Sequence, residues 1–273
     1  MKSTREVYQR LVGDGRVSIF FIAPSLILIA LFALPLLALI GRAGVSDFFG
    51  YAGSSQAIQA LRLSLVTSTI TAAVSVLLGT PLAYMLARWS FRLKSWLELL
   101  IDLPIVLPPS VAGLALLIAF GRNGTFGSLL GSLGVTLPFT MPAVVIAQTF
   151  VAAPLYVRAA RLGFTEIDVQ LEEAAHVEGA NQWQLFREVM LPMAGRALVS
   201  GAILTWTRAL GEFGATILFA GNLEGVTQTM PMAIYLGFER SLGVAIALSV
   251  LLVAVSTVLL LATRRLERKD LRS

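Results

Sequence analysis

Six long apolar segments alternate with short polar connections, and this alternation fixes what the chain can become. They run from Val17 to Ile40, Leu63 to Ala87, Leu99 to Phe120, Pro138 to Ala160, Ala197 to Gly221 and Ser241 to Thr263. Crossing about 30 Å of hydrocarbon at 1.5 Å per residue takes about twenty residues, and only a helix pairs every backbone polar group within one segment. Each segment is therefore expected to be a transmembrane helix, and 273 residues leave room for one compact all-α membrane domain. Charged residues make up 14% of the chain and the mean hydropathy is +0.80, whereas a soluble domain carries about a quarter charged residues. The first segment follows Lys2, Arg5, Arg10 and Arg16 in the manner of a signal peptide, but its apolar stretch is too long for a cleaved one.

The net charge of +5 does not point to nucleic acid, because no basic run is interleaved with aromatic residues. The basic residues instead alternate between the connections. They cluster before the first segment, after the second (Arg88, Arg92, Lys94), around the fourth connection (Arg158, Arg161, Arg187, Arg196) and at the end (Arg264, Arg265, Arg268, Lys269, Arg272). The remaining connections hold only Arg42, Arg62, Arg122 and Arg240. By the positive-inside rule both termini and the fourth connection are expected in the cytoplasm. The chain has no cysteine, so disulfides and a thiolate metal site are excluded, and its single histidine, His176, lies in the fourth connection, where neither a histidine metal cluster nor a serine–histidine hydrolase is expected.

The fourth connection is a charge-dense island from Arg161 to Arg196. It reads as two short helices around a glycine hinge. Thr165 followed by Asp168 is a capping-box pattern, Glu166 and Asp168 suit the positive end of a helix, and Gly179 supplies a left-handed stop. Asn181 followed by Gln184 opens a second helix through Met190, which Pro192 is expected to close. Leu171, Ala174, Ala175 and Glu178 share one face of the first helix, and Trp183, Phe186 and Met190 form an apolar stripe on the second. Two readings are open from these features: an amphipathic loop on the lipid headgroups, or a surface presented to a partner in water.

Two other segments stand out. The third is interrupted by Pro104, Pro108 and Pro109, with Gly113 close behind, so it is expected to kink or unwind, either as a bent packing helix or as a lining of the bundle interior. The glycine-rich stretch from Gly121 to Gly134 then reads as a loose external loop or as a return into the membrane. In the fifth segment Arg208 lies about eleven residues, roughly 17 Å, inside the span, where an unpaired charge costs at least about 2.5 kcal/mol. Glu212, one turn on, can pair with it, and the two are expected to face the bundle interior. Such a pair either orients the segment or acts directly in gating or in guiding an anion.

No lysine among Lys2, Lys94 and Lys269 follows a glycine, so no phosphate-cradling P-loop is present and any ATP must be hydrolysed by another polypeptide. An ion-coupled secondary transporter would place ionisable groups along several spans and often repeat itself; mid-span charge here is confined to the fifth segment. A membrane enzyme finds no nucleophile–base pair or metal constellation.

Glu173, Ala174, Ala175, Gly179, Val189, Leu191 and Pro192 carry a resemblance to the EAA loop of ABC importer permeases, with Val189 where isoleucine is usual. The run from Leu103 to Ser110 with Phe120 to Arg122, and the run from Arg208 to Ala215 with Ala220 to Asn222, resemble molybdate and sulfate permeases. The resemblance covers the chain from the second segment to the end of the sixth. It implies a type I fold of six transmembrane helices, with residues 1–57 as an N-terminal segment, first helix and external loop, 58–264 as the core domain and 265–273 as a basic cytoplasmic tail. It implies a non-enzymatic permease subunit of an inner-membrane oxyanion importer, molybdate favoured over sulfate and tungstate. The partners implied are two cytoplasmic ATPases, which bind the ATP–Mg, a second permease copy and an external binding protein; this chain itself is expected to hold no cofactor. Glu173, Ala174, Ala175, Gly179, Val189, Leu191 and Pro192 are the implied coupling residues, and Pro108, Pro109, Ser110, Arg208 and Glu212 are candidates for the pathway or gate.

Overall fold

The computed structural model describes residues 15–43 and 45–270, and among these every regular element is helical. Lys2, Arg5, Arg10 and Arg272 lie outside the described residues. The elements in order are α1 (Gly15–Arg42), α2 (Val45–Ala52), α3 (Ser55–Arg88), α4 (Lys94–Val106), α5 (Pro109–Phe120), α6 (Gly127–Ser132) and α7 (Met141–Thr165). They continue as α8 (Val169–Val177), α9 (Gln182–Met193), α10 (Gly195–Leu210), α11 (Gly214–Ala220), α12 (Met230–Arg240) and α13 (Leu242–Asp270).

Three helices, α3, α7 and α10, pack on one another and make the centre. The inward face of α3 reads Ala57, Ala60, Ser64, Ser68, Thr71, Ser75, Gly79, Ala83 and Leu86, all buried and three or four residues apart, with Thr67 and Thr80 buried beside them. Small residues at this spacing let helix backbones approach closely where no water drives them together. Gly79 shows the need: a Cβ there would lie 2.7 Å from the Tyr156 ring of α7. Of the buried polar side chains, Thr67, Ser68 and Ser75 bond carbonyls of α3 itself, and the others bond across helices. Thr71 donates to Gln148 Oε1 at 3.1 Å, Thr80 and Tyr156 share a 2.6 Å hydroxyl bond, and Ser64 accepts the Met230 N–H at 2.7 Å.

Three apolar clusters extend from this centre. Leu86, Tyr156, Phe164, Leu185 and Met190 fill the end that carries the island. Ala112, Leu116, Val144, Ala147, Ala215 and Phe219 join α5, α7 and α11, and Ala57, Met230, Ala233 and Leu248 join α3, α12 and α13. Helix α1 stands apart, with Phe21, Ile27, Leu31 and Leu34 each more than half exposed, as suits a lipid-facing helix.

Among the described residues four helices are long and apolar enough to span, and the count reaches six if each of two bent pairs is one span. The expected third span is broken between α4 and α5 by a 117° bend at Leu107 and Pro108. Pro104 does not break it; it sits buried inside α4. The expected fifth span ends at Leu210, because Gly211, Glu212 and Phe213 interrupt the helix before α11. Pro192 does not close the second island helix, which runs to Met193 and meets α10 at 69°, since proline is tolerated in a helix's first turn and here opens a short new one. Thr165 is not a cap either: it belongs to α7 and its hydroxyl bonds the Arg161 carbonyl, leaving the capping to Asp168. The stretch from Gly121 to Gly134 folds into turns around α6, with Gly127 pressed against the Gly121 carbonyl. Helix α2 lies in the expected external loop, and α13 carries residues 265–270 of the expected tail.

Candidate functional site

The island forms the two helices α8 and α9 around Gly179. Asp168 caps α8 by accepting the Gln170 N–H at 3.0 Å. The helix stops because Gly179 takes φ +89°, a conformation that L side chains avoid, while Ala180 N–H reaches back to the Ala175 carbonyl at 2.9 Å. Open space surrounds Gly179, so the turn and not packing requires a glycine. Asn181 and Gln184 then form a reciprocal capping box, both bonds 2.9 Å long. Residues Leu185 to Met190 are wound as a π-helix, which rotates Leu185 and Met190 together into the buried cluster.

The residues singled out in the island fall into two groups. Ala175, Val189 and Leu191 are half-buried, and the first two pack against the Phe164–Leu185 cluster with Phe186. Glu173, Ala174, Gly179 and Pro192 are exposed. Val177, which the sequence motif does not include, is 89% exposed beside them, an apolar side chain with nothing over it. The outward face thus mixes acidic and small residues with exposed apolar side chains, Val177 and Trp183 among them, and the inward face is an aromatic seat: Tyr84 meets Phe164 and Phe186 at centroid distances of 5.4 and 5.0 Å.

Ion pairs fasten this end of the bundle. Arg88 Nε lies 2.7 Å from Glu172 Oε1, and Arg88 Nη2 donates to the Ile167 carbonyl at 2.7 Å. Arg158 meets Asp102 at 2.6 Å and Arg161 meets Glu98 at 3.0 Å, tying α4 to the end of α7. None of these pairings is visible in the sequence, where the arginines register only as an excess of positive charge.

The second group of candidates meets in mid-bundle. Arg208 Nη1 lies 2.6 Å from Glu212 Oε2, and the other carboxylate oxygen accepts the Ala215 N–H at 2.9 Å. Glu212 therefore holds the end of α10 and the start of α11 at once. Its side chain is 2% exposed and that of Arg208 is 34% exposed. Pro108 and Pro109 open α5 on the far side of the 117° bend, and both are exposed with Ser110. The two proline-rich and glycine-rich runs pack directly. A Cβ on Gly214 would lie 2.7 Å from Pro109 Cβ, and one on Gly113 would lie 2.7 Å from the Ala215 carbonyl oxygen.

Residues 75–270 match the family described as binding-protein-dependent transport system inner membrane component. The molybdenum transport system permease protein ModB of Mycobacterium tuberculosis is 40% identical over 87% of this chain and 90% of its own length. The probable transport system permease protein NifC of Clostridium pasteurianum is 38% identical over 92% and 88%, and the sulfate transport system permease protein CysW of Synechococcus elongatus is 37% identical over 83% and 79%. Among solved structures, a bacterial ABC transporter that imports alginate superposes with a TM-score of 0.79, at 18% identity over 97% of this chain and 99% of that one. The inward-facing MetNI methionine ABC transporter gives 0.57, at 21% identity over 79% and 98%. The chain belongs to the family of binding-protein-dependent inner-membrane transport components, and it is a permease subunit of an ABC importer.

Proposed function

We propose that this permease moves a tetrahedral oxyanion, molybdate in the first place, driven by ATP that a separate cytoplasmic subunit hydrolyses. The observation that carries the substrate is the relative named for molybdenum transport, 40% identical over nearly the whole chain; the relative named for sulfate keeps sulfate as the second reading. Glu173, Ala174, Ala175, Gly179, Val189, Leu191 and Pro192 form the coupling loop. Glu173, Ala174 and Gly179 face the ATPase from α8 and its hinge, while Ala175 and Val189 seat the loop on the bundle. Positive charge around the island puts it and both termini in the cytoplasm, on the side where ATP is found. Two copies of this chain face each other about a twofold axis with two ATPases beneath and an external binding protein above, and ATP–Mg binds to the ATPases.

The test is uptake of molybdate, sulfate and tungstate by the permease reconstituted with its ATPase and binding protein. Molybdate uptake that tracks ATP and resists excess sulfate is the expected result. Uptake that survives ATP depletion and collapses with a protonophore would overturn the energy source, and preferential sulfate uptake would overturn the substrate.

A further inference from the structure

Arg88 is the last residue of α3, the 34-residue helix that runs through the centre of the bundle. Its guanidinium grips the island twice. One arm takes Glu172 in the first turn of α8, and another takes the carbonyl of Ile167 in the turn that leaves α7, each at 2.7 Å. The Arg88 and Glu172 side chains are 11% and 17% exposed, against 51% and 34% for Arg158 and Asp102. The contact with Glu172 is an ion pair without hydrogen-bond geometry, and the bond to Ile167 is the directional one, so the guanidinium holds two partners at once through different atoms. Between these two contacts lies the whole start of α8, so turning or shifting this helix against α3 breaks at least one of them.

The other end of α3 is fastened as firmly. Gln56 donates to Gln228 at 2.9 Å, Ser64 accepts the Met230 N–H at 2.7 Å, and Gln228 in turn donates to Asn222 at 3.0 Å. Helix α3, continuous from Ser55 to Arg88 with Pro81 two turns before the latch, therefore connects the island to the segment before α12 on the far side of the bundle.

We propose that the Arg88 fork makes α8 and α3 a single lever, so that displacement of the coupling loop is delivered along α3 to the opposite end. This rests on the reading of the island as the coupling loop. Arg88 and Glu172 are positioning residues: they touch neither substrate nor nucleotide and act through α3.

The experiment uses the full importer in proteoliposomes and reads three quantities: co-purification of the ATPase, ATP hydrolysis stimulated by the binding protein, and oxyanion taken up per ATP hydrolysed. Arg88→Met keeps the apolar stem of the side chain and removes the guanidinium with its charge. It is expected to co-purify with the ATPase while uptake per ATP falls about tenfold, the scale of a coupling residue. The exchange Arg88→Glu with Glu172→Arg is expected to recover part of that loss, because the ion pair returns while the bond to the Ile167 carbonyl does not. Unchanged uptake per ATP in Arg88→Met overturns the lever. Should that variant fail to accumulate, Glu172→Gln keeps an acceptor of the same shape and carries the test, with an unchanged ratio again overturning the proposal. Glu173→Lys and Gly179→Trp separate this from the underlying reading: ATPase assembly and uptake untouched by both would remove the coupling loop itself, whereas their loss together with a normal ratio in Arg88→Met would remove the lever alone.

Discussion

Two arginine–glutamate pairs of nearly equal length, Arg88 with Glu172 and Arg208 with Glu212, do different work because of what they join. Arg208 and Glu212 are four residues apart and belong to one interruption of one segment. The pair satisfies two charges locally and fixes how α11 leaves α10. Arg88 and Glu172 belong to elements separated by the whole of α4 to α7, and their pairing fixes how one body sits on another. Around the mid-bundle pair the closest packing is at glycines, Gly113 on the Ala215 backbone and Gly214 on the Pro109 ring; around the other it is ring on ring, Tyr84 with Phe164 and Phe186. The first region suits a fixed shape, and the second, where side chains from distant elements hold one body on another, suits passing a displacement on.

The largest effect should come from removing the slackless contact. A side chain on Gly113 would meet the Ala215 carbonyl and Cα at 2.7 and 2.9 Å, and backbone cannot give way as a side-chain tip can. Gly113→Leu is expected to abolish accumulation of folded permease, measured by detergent-resistant monodispersity. Normal accumulation would mean that the α5–α11 crossing has freedom and that the contrast between the two regions is drawn too sharply.

Next comes the charge. Glu212→Leu leaves Arg208 unpaired in low dielectric and frees the Ala215 N–H, a cost of about 3 to 5 kcal/mol. The double change Arg208→Leu with Glu212→Gln removes both charges and keeps an acceptor for Ala215, so thermal stability and most transport should return. A double variant that is folded, couples to ATP hydrolysis and no longer moves oxyanion would instead give Arg208 a direct part in the pathway. The first outcome is expected because a full positive charge in mid-path would hold a dianion too tightly to release it.

What the sequence could and could not announce follows the same division. The Arg208–Glu212 pair, the Gly179 stop and the Asn181–Gln184 box are legible because each rests on residues within one or two turns. Hydropathy starts the second span at Leu63, yet α3 begins at Ser55, since Ser54 caps it and the polar Gln56, Gln59 and Arg62 that follow hide its first two turns. Helix α12 escapes for a different reason, since its eleven residues are too few to register as a span, although Thr229 followed by Pro231 is a helix-start signal that could have revealed it. Gly211 and Gly214 mark the interruption of the fifth segment, but apolar neighbours on both sides conceal it. The Arg88 fork, the Arg158 and Arg161 pairs and the exposed Val177 depend on elements brought together only by folding, and no local pattern encodes them.

The smallest effect sharpens the comparison from its other side. Arg158 and Asp102 are 2.6 Å apart, as short as the mid-bundle pair, but their side chains are 51% and 34% exposed near the end of α7, where headgroups and water reach them. Exposed pairs contribute about 0.2 to 1 kcal/mol, because water replaces the lost partner. Arg158→Ala should therefore lower the unfolding midpoint only slightly and leave uptake per ATP close to that of the parent, while Arg161 and Glu98 continue to hold α4. If Arg158→Ala instead destabilised the permease as much as Glu212→Leu, distance and not surroundings would set the strength of these pairs, and α4 would join α3 as a member of the lever.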